Sequence, residues 1–93
     1  MEELVEKSKK GDNQAFSELI ISMENELYKI ARTRLRNEED IKEAVQETII
    51  KTYSSLKKLR NSKFFKTWII RILINECNNV YSKNKKIIKK KQK

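Results

Sequence analysis

The chain has no histidine, no proline, one glycine and one cysteine in 93 residues. Each scarcity removes a class of answer. Without histidine, and with Cys77 alone, neither a His/Cys metal cluster nor a Ser-His or Cys-His nucleophile can be assembled, so an enzyme is not expected and no cofactor is called for. A lone cysteine closes no intramolecular disulfide, and the start Met-Glu-Glu-Leu-Val lacks the basic opening and apolar run of a secretion signal. The expected location is cytoplasmic. No apolar stretch approaches the roughly twenty residues that cross a bilayer, so no membrane span is expected. The shortage of Gly and Pro leaves little punctuation for hairpins, and 93 residues bury only a modest core. The expectation is one all-α domain whose function lies on its surface.

Charge is present in quantity, and its distribution is more telling than its total of +9. Residues 1–36 balance, with seven basic against seven acidic residues; 37–56 carry two against five; 57–93 carry thirteen against one, a net of +12. A short acidic segment followed by a strongly basic third points to two surfaces with different partners, the basic one facing a polyanion.

Apolar spacing divides the chain into four expected helices, at about 2–10, 13–36, 38–56 and 64–82, packed as a compact bundle with a basic C-terminal tail. Gly11 is suited to end the first helix, because only glycine takes the left-handed conformation without steric cost. Asp12 is placed to cap the second, whose stripe runs Phe16, Leu19, Ile20, Met23, Leu27, Ile30, Ala31. Asn37 caps the third, with Glu38, Glu39 and Asp40 at the positive end of the helix dipole. Its core face is Ile41, Ala44, Val45, Thr48, Ile49, Thr52, Tyr53 and Leu56, which leaves Asp40, Glu43 and Glu47 on the solvent side with Gln46 beside them.

Lys57, Lys58, Arg60, Asn61, Ser62 and Lys63 break the pattern as a basic loop, and Asn61 or Ser62 can cap the fourth helix. That helix places Phe65, Trp68, Ile69, Ile72, Leu73 and Val80 inward and Thr67, Arg71, Asn75 and Asn78 on the opposite face. Glu76 falls among the apolar positions, where the pattern gives no reason for it. Cys77 is expected as a small packing residue. Seven lysines crowd residues 83–93, a composition that argues against stable packing, so 84–93 is expected to be a basic tail or truncated interdomain linker after a 1–83 domain.

In order and spacing, Gly11-Asp12, Ala15-Phe16, Leu19, Leu27-Tyr28, Ile30-Ala31, Glu39-Asp40, Gln46-Glu47-Thr48, Tyr53, Phe65-Lys66-Thr67-Trp68-Ile69, Arg71-Ile72 and Asn75-Glu76-Cys77 resemble region 2 of bacterial extracytoplasmic-function sigma factors. The resemblance implies a module that binds core RNA polymerase and reads the minus-ten promoter element once the duplex opens. On its terms Asp40, Glu43, Gln46 and Glu47 dock on the coiled coil of the polymerase β′ subunit. Lys57, Lys58, Arg60, Asn61, Ser62, Lys63, Lys66, Thr67, Arg71, Asn75, Asn78 and Asn79 contact the non-template strand. An anti-sigma factor is a further partner known for such proteins.

The chemistry suits those roles: oriented carboxylates accept from Arg and Lys of a partner helix, lysines neutralise phosphates, and side-chain amides offer donor and acceptor to a base edge. Phe65 and Trp68 lie on the buried stripe and are expected to pack rather than stack on bases. Two departures stand out. The family has a second domain, a helix-turn-helix, where this chain runs into lysines, so the chain is expected to be an excised domain or an unusual single-domain protein. Positions 79 and 82, commonly acidic and basic in the family, are Asn79 and Ser82 here. The alternatives to the sigma-factor reading are a generic basic helical DNA-binding domain without polymerase affinity and an amphipathic protein of the membrane surface.

Overall fold

The computed structural model describes the backbone of residues 1–91 and the side chains of 1–84. Among these residues are four α-helices and no strand: α1 (Glu2–Lys9), α2 (Asn13–Arg34), α3 (Glu38–Ser55) and α4 (Phe65–Lys91). Two single 3₁₀ turns, Leu56–Lys58 and Ser62–Phe64, shape the connection between α3 and α4.

The expected punctuation marks are in place. Gly11 has φ +100, its N–H donates to Ser8 O, and the Asp12 N–H donates to Lys7 O, the pair of bonds that closes a Schellman turn. The Asp12 carboxylate accepts from the Ala15 N–H at 3.0 Å and so opens α2. Asn37 Oδ1 accepts from the N–H groups of Glu39 and Asp40 at 2.8 and 3.4 Å, opening α3. These caps satisfy donors that the first helical turn leaves without partners.

Val5, Leu19, Met23, Leu27, Ile41, Val45, Phe65, Ile69 and Leu73 are fully buried and join all four helices in one core. Cys77 is part of it as expected, and burial pushes its thiol up, which keeps it protonated and inert.

Three expectations need correction. The second helix stops at Arg34, with Leu35 extended and buried, so the turn into α3 starts two residues early. Tyr53 is not in the core. It is 57 % exposed, packs edge-on against Phe16 at a ring distance of 5.0 Å, and its hydroxyl donates to Asn13 Oδ1. It covers the rim of the α2–α3 seam, where an amphipathic ring keeps its polar end in water.

The largest difference is the length of α4, which continues from 82 to Lys91. Nothing in Lys83–Lys91 stops a helix, since lysine and isoleucine are tolerated and neither Gly nor Pro intervenes. Lys83 and Asn84 also gain partners on α3, as described below. Residues 92–93 of the expected tail lie outside the described residues.

Candidate nucleic-acid interface

The basic loop is held from below by α1. Lys9 Nζ donates to Leu59 O at 2.7 Å, and the Ser62 hydroxyl donates to the Glu6 carboxylate. That hydrogen bond, assisted by Lys9 and Lys10, draws the Glu6 carboxyl below its ordinary range against the opposing pull of burial. Ser62 is itself buried, so it shapes the loop from within instead of standing among the exposed residues. Asn61 Oδ1 accepts from the Lys63 N–H at 3.0 Å, which fixes the turn into α4. Around this frame Lys57, Lys58, Arg60 and Lys63 are exposed, whereas Leu56 just before them and Leu59 among them in the chain are buried.

Helical spacing then carries the positive surface along α4. Thr67, Arg71, Asn75 and Asn78 are all exposed and, among the described residues, take no side-chain partner. Phe65 and Ile69 on the other side of the same turns are fully buried, which fixes the rotation of the helix. Lys66 stands at the edge of the row and reaches Glu26 at 3.2 Å. An exposed pair of this kind contributes at most about 1 kcal/mol and yields readily to a competing phosphate. Asn79 is exposed, with its amide nitrogen toward Glu76 at 3.5 Å. Trp68 is half-buried against Phe65, whereas Phe64 is 56 % exposed at the junction of loop and helix.

The acidic face of α3 is assembled differently. Gln46 is exposed, but Asp40, Glu43 and Glu47 are half-buried because the far end of α4 leans over them. Lys83 Nζ donates to Glu43 at 2.8 Å, Asn84 Nδ2 donates to Asp40, and Glu43, Glu47 and Lys83 share a shallow cleft. The Glu43 hydrogen bond raises the Lys83 ammonium above its ordinary range. The Glu43 side chain remains 39 % exposed.

Sequence pattern alone does not reveal the ion pair between the two faces. Glu76, 5 % exposed, accepts from Lys51 Nζ of α3, and that bond raises the Lys51 ammonium above its ordinary range. This explains a carboxylate on an otherwise apolar stripe: a lysine from the next helix neutralises it. Its signal in the sequence is the misplaced charge itself. Glu6 and Lys9 carry no comparable signal, because they are ordinary charges of a short polar helix whose loop partners are more than fifty residues away in the chain for Ser62 and fifty for Leu59.

No group of three or more metal-ligating side chains occurs among the described residues, and no described helix is long and apolar enough to cross a membrane.

Comparison with known proteins gives this geometry a family. The family model for sigma-70 region 2 matches residues 19–87. The ECF RNA polymerase sigma-E factor of Haemophilus influenzae is 37 % identical over 76 residues, covering 82 % of this chain and 40 % of that protein. That of Escherichia coli strain K12 is 34 % identical over 76 residues, covering 82 % and 39 %. The chain thus spans about two fifths of the length of the curated relatives it matches. Among solved structures, an engineered region 2 of sigmaE, determined by NMR in complex with GTAAAA, superposes with a TM-score of 0.80 at 30 % identity, covering 87 % of this chain and 84 % of that one. The chain belongs to the sigma-70 region 2 family, in the extracytoplasmic-function group.

Proposed function

We propose that this domain serves promoter recognition in transcription initiation by joining core RNA polymerase to an opened promoter strand. In this reading α3 docks on the β′ coiled coil through Asp40, Glu43, Gln46 and Glu47. The loop residues Lys57, Lys58, Arg60, Asn61 and Lys63, with Lys66, Thr67, Arg71, Asn75, Asn78 and Asn79, bind the non-template strand of the minus-ten element. Ser62 keeps the loop in shape. Bond-making belongs to the polymerase, and the work is done in the cytoplasm, where an anti-sigma factor could compete for the same surfaces.

The observation that carries the reading is the row Thr67, Arg71, Asn75 and Asn78, polar, exposed and without side-chain partners, continuous with a basic loop braced at three points. Cations there neutralise phosphates and release counterions, and amides present donor and acceptor to base edges that only a melted strand exposes in full. The likeness to a sigmaE region 2 solved in complex with GTAAAA supports an oligonucleotide as a partner. The acidic face, on a different helix, suits Arg and Lys of a protein helix, where charge complementarity sets register and on-rate.

Capture of the domain by an isolated β′ coiled coil tests the protein half. Asp40→Lys combined with Glu47→Lys is expected to abolish capture; unchanged capture would return the domain to a generic basic DNA binder. For the nucleic-acid half, a single-stranded minus-ten segment is expected to bind more tightly than its duplex, with affinity falling steeply as salt rises. Equal affinity for every strand of that length would remove sequence reading.

A further inference from the structure

Glu76 is the one buried carboxylate among the described residues, and the interface just described gives it no task. Burying a carboxylate is expensive unless it is paired and hydrogen-bonded, so its partners indicate what it is for. Both partners stand at the edge of the strand-binding side. Lys51 Nζ donates to Glu76 Oε2 from α3, and Asn79 Nδ2 approaches the same oxygen at 3.5 Å from one turn further along α4. All three residues line an open cleft of about 550 Å³ between α3 and α4, which Asn75 and Asn78 also line.

An ionised carboxylate accepts hydrogen bonds and cannot donate them. The Asn79 amide must therefore turn its NH₂ toward Glu76, which leaves Oδ1 directed away from it as an acceptor. An acceptor so fixed distinguishes bases that present their purine 6 or pyrimidine 4 position to it. Adenine and cytosine carry an amino donor at the purine 6 or pyrimidine 4 position, whereas guanine and thymine carry a carbonyl there. The Lys51 side chain, 49 % exposed, keeps its charge beside the same spot, available to a flanking phosphate.

We infer that Glu76 is a positioning residue for base selection: it orients the Asn79 amide so that its oxygen selects an adenine or cytosine in the α3–α4 cleft, and it anchors Lys51 next to that base. The inference rests on the strand-reading role proposed above and adds to it a residue that touches no nucleotide.

The test is selection from a randomised single-stranded DNA library by the 93-residue chain and by Glu76→Gln. Glutamine preserves size but can both donate and accept, so the Asn79 amide is released to either orientation. The original chain is expected to enrich adenine and cytosine over guanine and thymine at one position by about tenfold, and Glu76→Gln to lower that preference to about twofold while leaving other enriched positions intact. A uniform fall in affinity with an unaltered base profile would mean that Glu76 is only a staple between helices and would overturn the inference. Asn79→Ala, which leaves the ion pair in place, is expected to erase the same positional preference; a retained preference overturns the inference even if Glu76→Gln fails to fold. A library without any enriched motif in the original chain would remove the strand-reading role itself, a failure distinct from that of Glu76.

Discussion

The outer row of α4 and the acidic face of α3 begin from the same device, polar residues repeated every three or four positions on an amphipathic helix, and end in different states. Thr67, Arg71, Asn75 and Asn78 are exposed and, among the described residues, take no side-chain partner. Asp40 and Glu43 share their oxygens with Asn84 and Lys83. Periodicity decides which side of a helix faces outward, because that follows from 3.6 residues per turn. It does not decide what another element brings over that side, and here the extension of α4 beyond residue 82 makes the difference. A partner finds the α4 row ready, whereas one that docks on α3 competes with the molecule's own lysine and asparagine.

The strongest way to break the comparison is to remove the core that both faces share. Phe65, fully buried at the start of α4 where the loop ends, belongs to the one core that joins the helices. Phe65→Ala is expected to cost about 3–5 kcal/mol, enough to lower the thermal midpoint sharply and to weaken both faces together. Next in size, Arg71→Ala with Asn75→Ala is expected to reduce affinity for the preferred single strand by about tenfold or more while circular dichroism stays unchanged, since both side chains are exposed and take no side-chain partner among the described residues.

A smaller effect of opposite sign is expected at Thr52. Its hydroxyl is buried on α3 without a hydrogen-bond partner among the described residues. Thr52→Val replaces it with a methyl of the same size and should stabilise the domain by about 1 kcal/mol, read as a rise of several degrees in Tm, with neither face affected.

The smallest effect sharpens the comparison by pH. The Glu6 carboxyl, drawn below its ordinary value of 4.5 by Ser62, contributes its stabilisation above that value and loses it as pH falls through the lowered folded pKa. Protection of the loop amides around Ser62 against hydrogen exchange, relative to their intrinsic rates, should therefore fall as pH drops below 4.5. Ser62→Ala should abolish that dependence.

Much of this was legible in the chain. Gly11, Asp12 and Asn37 mark helix ends through local chemistry that needs no tertiary context, and all three act as expected. The inward Phe65–Ile69–Leu73 stripe and the outward Arg71–Asn75 row likewise follow from helical spacing. What could not be read are pairings between distant segments. Glu76 looks like an error until Lys51 is placed beside it, twenty-five residues away in the chain. Glu6 and Ser62 are fifty-six residues apart, and neither is unusual by itself. The persistence of α4 through a lysine run was obscured by like-charge repulsion, which Glu43 and Asp40 offset at its start. Tyr53 fits the apolar period but lies at a seam that is one ring too shallow to enclose it.

The most direct test of two separate faces is a crossed binding measurement, in which Asp40→Lys/Glu47→Lys and Arg71→Ala/Asn75→Ala are each titrated with the β′ coiled coil and with the preferred single strand. Separate faces predict that each variant loses one partner and keeps the other within about twofold, as expected for sites with no shared contacts. Folded variants that lose both partners to the same extent would contradict the account.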